Sequence, residues 1–138
     1  MDGTAPPPRR VSAGPSWPLF NVAATRALER AGLAATAQHV LMQRAGLATA
    51  RLAVALYPHA RTIWIAAGPG NNGGDGMEAA IHLHACGKRV VLTWLGDPAT
   101  APADALMSHT RARSVGVPFA DGPPPAWDLC IDALLGIG

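Results

Sequence analysis

Asn71, Asn72 and Asp75 lie within GPGNNGGDG at 68–76, and Asp132 lies within IDALLGIG at 131–138. These residue types offer two kinds of chemistry. Backbone N–H groups freed of side chains cradle an anion, above all where a helix begins. There the first N–H groups lack intrahelical acceptors, and the macrodipole adds about half a positive charge. Carboxylate, amide and carbonyl oxygens are hard ligands that hold a hard cation. With Asp132 the one carboxylate facing Asn71 and Asn72, a monovalent ion fits better than Ca²⁺. Each residue also has a plainer reading: Asp75 as a helix cap, and Asp132 as a cap or turn former.

Five glycines in nine positions suit a loop that lets a ligand approach backbone and that tolerates positive φ. Gly68, Gly70 and Gly73 match the G-x-G-x-x-G dinucleotide fingerprint, and a strand precedes them as that fingerprint requires. Gly74-Asp75-Gly76 then extends the loop instead of opening the helix at once. Asp97 is the candidate for the ribose-binding acid. No Lys-Ser/Thr pair follows the glycines, which excludes a P-loop. His82 and His84 stand two apart on a helix, face different ways and share no metal. Cys86 and Cys130 are far apart, without C-x-x-C spacing, and read as small buried hydrophobes in a reducing compartment. Trp17, Trp64, Trp94 and Trp127 are scattered at strand starts and ends and read as core or rim.

The elements that position these groups follow from periodicity. Residues 1–18 carry five prolines and two glycines and read as a flexible, partly extended tail. Asn21 caps a helix over 22–31, which Gly32 ends. A second helix runs over 34–56, with Val40, Leu41, Ala45, Ala48, Leu52 and Leu56 as its apolar face. Gly46 inside it implies close backbone packing, and Tyr57-Pro58 closes it. TIWIAA at 62–67 is a strand. A helix over 75–86, stopped by Gly87, follows the glycine loop. RVVLTWL at 89–95 is a second strand, 102–115 a helix, and VPF at 117–119 a short strand. WDLCIDAL at 127–134 is the last strand. Alternating strands and helices imply βαβ units around a parallel sheet. In a doubly wound sheet the first strand is central and a later one crosses to its other side. That crossing brings Asp132 beside Asn71 and Asn72.

The chain has 138 residues, which indicates one domain. Hydrophobic content is 49% and charged content 14%, a balance that fits a folded core and excludes a disordered chain. A net charge of +2, with no basic cluster beyond Arg9-Arg10, argues against a nucleic-acid surface. No apolar run reaches the length of a membrane span, and the N-terminus lacks a secretory apolar core. The expectation is a cytoplasmic protein with no membrane partner.

GPGNNGGDG behind a strand, with IDALLGIG at 131–138, resembles the NAD(P)H-hydrate epimerase domain. LMQRAG at 41–46 resembles that family's signature in the helix ahead of the first strand. The resemblance covers about residues 20–138, and its N-N-G-G-D-G motif is far more specific than G-x-G-x-x-G. It implies an isomerase of nicotinamide-cofactor repair, which interconverts the R and S forms of NADH or NADPH hydrated at C6 of the ring. An S-specific dehydratase, fused or separate, then restores the cofactor. Carried over by match, Asn71, Asn72, Gly73, Gly74 and Asp75 bind the hydrated dinucleotide, as do Gly136, Ile137 and Gly138. Asn72 and Asp132 help to hold one potassium ion.

The sequence departs from the family pattern in several places. Ile137 stands where the family has Thr or a small residue. Ala80-Ile81 replaces Ala-Arg and removes a cation, and Glu78 occupies a position that is commonly apolar. The family's acid/base Asp belongs to a D-I-P-S-G segment that residues 1–138 do not contain. The implied fold is therefore α/β, a Rossmann-like three-layer αβα with a mostly parallel sheet, cut short on its C-terminal side. It spans 19–138 behind the 1–18 tail, keeps the binding half of the site and is open to homodimer formation. Two other readings stand beside it: a dinucleotide-binding oxidoreductase fragment, and a non-catalytic binding module on the same fold.

Overall fold

The computed structural model of the chain describes residues 19–136, the side chain of Leu33 excepted. The expected 1–18 tail, and the site residues Ile137 and Gly138, lie outside the described residues.

Asn21 caps the first helix as its sequence predicts, its Oδ1 accepting the Ala24 N–H at 2.9 Å. That helix, α1 (Val22–Ala35), runs through Gly32 instead of ending there. The break falls at 36–39, where His39 takes a left-handed backbone (φ 70°) and α2 (Val40–Leu56) begins. The second helix thus starts later than the expected residue 34. Its buried face is also different. Met42, Gly46, Ala50 and Ala53 point inward, whereas Leu52 and Leu56 are exposed. The large apolar residues suggested one face, but close packing selected the stripe of small ones. A Cβ on Gly46 would fall on the Cβ of Glu78, so α2 meets the helix α3 (Asn71–Ala85) almost backbone to backbone.

Strands β1 (Thr62–Ala67), β2 (Arg89–Trp94) and β3 (Leu129–Ala133) form a parallel sheet of order β2-β1-β3. Ile63 pairs with Val90 on one side and Leu129 on the other, which makes β1 central and β3 the crossing strand. The predicted VPF strand contributes only one bridge, Phe119 to Leu92. Asp128 Oδ2 ties the starts of β3 and β1 by accepting the N–H groups of Thr62 and Arg61, each at 2.8 Å. Those two bonds, Thr62 first, hold the Asp128 carboxyl below its ordinary range.

Nine of the fifteen residues of α3 are buried, which marks it as the helix at the centre. It packs on all three strands, with α2 on one flank and α4 (Ala103–Ser114) on the other. Ile63, Ile65, Met77, Leu83, Val90 and Leu92 are its fully buried neighbours and members. The α/β architecture with a parallel sheet is the one that the alternating periodicity predicts.

The other face of the sheet carries Trp64, whose ring packs tilted against Trp127 with centroids 5.2 Å apart and whose Nε1–H donates to Thr93 Oγ1. Cys86 and Cys130 are both exposed, against the expectation of buried hydrophobes. Cys86 is the C-cap of α3, and Cys130 sits on the face of β3 opposite the helices.

Candidate functional site

The glycine-rich run is helix, not loop. Gly70 is the N-cap, with extended backbone and no side chain to cap with, and Asn71 is already helical. Among the described residues only Gly87 and Gly116 have glycine backbones at positive φ, so the 68–76 glycines are not there for left-handed conformations. Gly68, Gly73, Gly74 and Gly76 are there for contact, whereas a Cβ on Gly70 would meet open space. A Cβ on Gly73 would fall on the Gly68 carbonyl oxygen, and one on Gly76 would lie 2.6 Å from Ala133 Cβ. Three helical glycines at 73, 74 and 76 cost about 1 kcal/mol each relative to Ala. Packing of α3 against β1, β3, α2 and α4 offsets that cost. Gly74 would meet Met42 and the Ala105 backbone, so a larger residue there burdens the core as well as any ligand.

The first N–H groups of α3 have no intrahelical acceptor, and Gly74 makes the first helical bond, 3.3 Å to Gly70 O. They open on a cleft of about 570 Å³ between the start of α3 and the segment after β3. Asn71, Asn72 and Asp75 line it on one side, Leu134, Leu135 and Gly136 on the other. Glu29 of α1 also reaches it, although no motif marks that residue. The crossing topology therefore brings the two sequence motifs together at the carboxyl end of β1. Gly73 and Gly74 are buried beneath this surface.

Asn72 Nδ2 donates to Leu135 O at 3.1 Å, and Asp132 Oδ1 accepts the Leu134 N–H at 3.0 Å. Both residues thus engage the same turn. Asn72 Oδ1 and Asp132 Oδ2 keep free lone pairs among the described residues. Asp132 does not itself line the cleft: it is exposed on the same face of β3 as Cys130, and only its turn, through Leu134 and Leu135, reaches Asn72. Asp132 is also the turn former of its plainer reading. Asp97, the candidate ribose acid, accepts the Ala99 N–H in its own turn and does not line the cleft. His82 and His84 join no metal-binding group, and none forms among the described residues.

Asp75 is not the helix cap. It lies one turn inside α3 and lines the cleft. Burial pushes its carboxyl up to about 6 from an ordinary 3.8, Glu29 and Glu78 push the same way, and His39 opposes them. The folded state therefore holds this proton while the unfolded chain releases it, from about pH 4 to about pH 6. Stability contributed by the group is present at low pH and lost as pH rises through that window. Asp75→Asn is expected to melt higher than wild type at pH 7.5 and at the same temperature at pH 4, measured by calorimetry across pH. Equal melting temperatures at both pH values would contradict this.

Behind Asp75 lies a buried polar cluster. Glu78 is fully buried, and its Oε1 is 2.9 Å from His39 Nε2. Arg111 Nη2 stands 3.5 Å from Glu78 Oε2, and Asp104 Oδ1 stands 3.7 Å from His39 Nδ1. The departure at Glu78 was the one sequence signal of this cluster. His39, Asp104 and Arg111 carried none.

The YjeF-related protein N-terminus family matches residues 38–138, the segment that holds both motifs. The chain belongs to this family. A relative from Bordetella pertussis, named NAD(P)H-hydrate epimerase, is 42% identical over 121 residues, covering 87% of this chain and 52% of the relative. One of the same name from Limosilactobacillus fermentum is 39% identical over 72% of this chain and 49% of its own length. A Pyrobaculum aerophilum relative, 38% identical over 72% of this chain and 22% of its own length, is named a bifunctional NAD(P)H-hydrate repair enzyme. The chain thus spans about half the length of the epimerases it matches. The crystal structure of yeast ynu0 superposes with a TM-score of 0.68 at 23% identity, covering 83% of this chain and 54% of that one, and shares the fold.

Proposed function

We propose that the cleft binds hydrated NADH or NADPH and serves the interconversion of its R and S forms. The observation that carries this reading is the meeting of Asn71–Asp75 with the 134–136 turn at the carboxyl end of β1, in a chain 42% identical to a protein named NAD(P)H-hydrate epimerase. Phosphates suit the N-terminus of α3, whose N–H groups lack partners. The cleft is lined by Glu29 and Asp75 and by no Lys or Arg, so the ligand's pyrophosphate calls for further positive charge. A potassium ion held by Asn72 and Asp132 would supply it.

Epimerisation at C6 requires the hydroxyl to leave and return on the other face, or the ring to open and reclose. Either route moves a proton near neutral pH and transfers no electrons. Asp75 borders the cleft and can hold a proton in that range. Because it caps nothing, its carboxyl is available to the ligand. The consumer of the S form is a dehydratase, separate or fused; the Pyrobaculum relative is named a bifunctional repair enzyme.

The test uses the full gene product and R-enriched hydrated NADPH, with the two epimers followed by chromatography. Equilibration without change of oxidation state is expected. Conversion to an oxidised nicotinamide would support the oxidoreductase reading, and binding without conversion the non-catalytic one. For the ion, Asp132→Asn is expected to weaken K⁺ and ligand binding together by about tenfold. The check is ligand titration in potassium and in choline buffers. Equal affinities in both buffers for both proteins would remove the site.

A further inference from the structure

The amino end of the sheet, away from the cleft, carries two adjoining hollows. One, of about 490 Å³, lies where the chain enters β1 and β2, and is lined by Arg61, Lys88 and Arg89 and by no acid. The other, of about 290 Å³, shares Pro58, His59 and Ala60 with it. Leu56 and Tyr57, at the end of α2, form the apolar wall of this second hollow. They are 64% and 54% exposed, and Leu52, one turn earlier on the same helix face, is 58% exposed. A hollow lined by cations thus adjoins one lined by large apolar groups.

Structural duties account for part of this surface. Lys88 Nζ donates to Pro58 O at 2.8 Å and to Ala60 O at 2.7 Å, which fixes the turn between α2 and β1. Asp128, the acid of the apolar hollow, has its Oδ2 taken by the N–H groups of Arg61 and Thr62. No hydrogen bond or ion pair engages the guanidinium groups of Arg61 and Arg89 among the described residues. Leu52, Leu56 and Tyr57 lie outside the core. We propose that this end of the sheet docks a partner polypeptide through a short acidic segment with an apolar anchor. Carboxylates meet the two guanidinium forks, whose planar geometry matches them. The apolar side chain enters the hollow beside Leu56 and Tyr57. This inference is independent of the reading of the cleft, which lies at the other end of the strands and stays open when the partner is docked.

Other occupants fit less well. Residues 1–18 of the chain itself carry Arg9 and Arg10 against Asp2 alone, so that segment matches the charge of the hollow instead of opposing it. A second copy docked about a two-fold axis sets the same cations against each other. A bilayer surface is flat, whereas Arg61, Lys88 and Arg89 line a concavity. A small anion would leave Leu56 and Tyr57 in water.

The test selects peptides from a random peptide library on the immobilised full gene product. A labelled synthetic copy of the enriched sequence is then titrated by fluorescence anisotropy. Enriched peptides are expected to place Asp or Glu beside Leu, Phe or Trp, and their affinity is expected to fall with added salt. Reversing both charges, Arg61→Glu with Arg89→Glu, is expected to weaken binding by about tenfold or more, and Leu56→Ser by about threefold or more. Arg44→Glu, at the far end of α2, is the charge control and is expected to stay within about twofold. All four positions are exposed, so the variants keep the fold, and melting temperatures check it. A library that yields no acidic peptide would overturn the proposal. So would equal losses in the control and the double variant, which would reduce the effect to net charge. Phosphatidylserine vesicles that bind wild type and not the double variant, with no peptide selected, would make the surface a membrane contact and overturn it. A dimer in sedimentation that dissociates in Leu56→Ser would assign the face to a second copy and overturn it too.

Discussion

Glu78→Ala is expected to lose about 3–5 kcal/mol of stability, the cost of removing one partner from a buried charge pair. Glu78 is fully buried at the middle of α3, with His39 Nε2 at 2.9 Å and Arg111 Nη2 at 3.5 Å. Truncation leaves His39 buried without its partner, leaves Arg111 without its counter-charge and opens a cavity where α2 crosses α3 at Gly46. Three elements lose their common contact at once: the start of α2, the middle of α3 and the end of α4. Glu78→Gln keeps the volume and one hydrogen bond, so it is expected to lose less. Urea unfolding with an unchanged m-value is the measurement. A loss below about 1 kcal/mol for the alanine variant would show that the cluster does not bear on stability.

The second large effect is expected at Gly73, where even alanine is too big. Its Cβ would fall on the Gly68 carbonyl oxygen, with the Gly68 carbon at 2.9 Å and nitrogen at 3.0 Å. All three atoms are backbone, so no rotamer change relieves the overlap. The turn from β1 into α3 must open, which costs about 3 kcal/mol or more and moves the free N–H groups of the first helical turn. Loss of dinucleotide binding by more than about a hundredfold should accompany it, since misplaced donors no longer converge on one anion. Gly122→Ala is the control, because an added Cβ there meets nothing within 4 Å, and it should stay within about 0.5 kcal/mol of wild type. Wild-type binding and stability in Gly73→Ala would mean that these glycines do not set the geometry of the site.

The two motifs and their meeting place were legible in the sequence, because strand order follows from the alternation of periods. β1 matches its predicted bounds, and β3 crosses to the far side as the doubly wound pattern requires. The secondary structure of the glycine run was not legible. Helix propensity argues against Gly73, Gly74 and Gly76 in a helix, and tertiary packing overrode it. The face of α2 was misread for the same reason: hydrophobic size marked Leu52 and Leu56, while close approach to α3 required Gly46 and Ala50. Asp75 followed from the first error, since a loop ending at 75 makes it a cap, and a helix starting at 71 frees it. The buried cluster was hidden because His39, Glu78, Asp104 and Arg111 come from three helices. Only the fold brings them together.

The cleft between the start of α3 and the 134–136 turn is expected to hold the hydrated dinucleotide. A crystal structure of the full gene product with hydrated NADPH tests it most directly. Phosphates are expected against the N–H groups of residues 70–73, with the nicotinamide ring within reach of Asp75. Ligand bound instead in the hollow at the opposite end of the sheet, beside Arg61, Lys88 and Arg89, would contradict it.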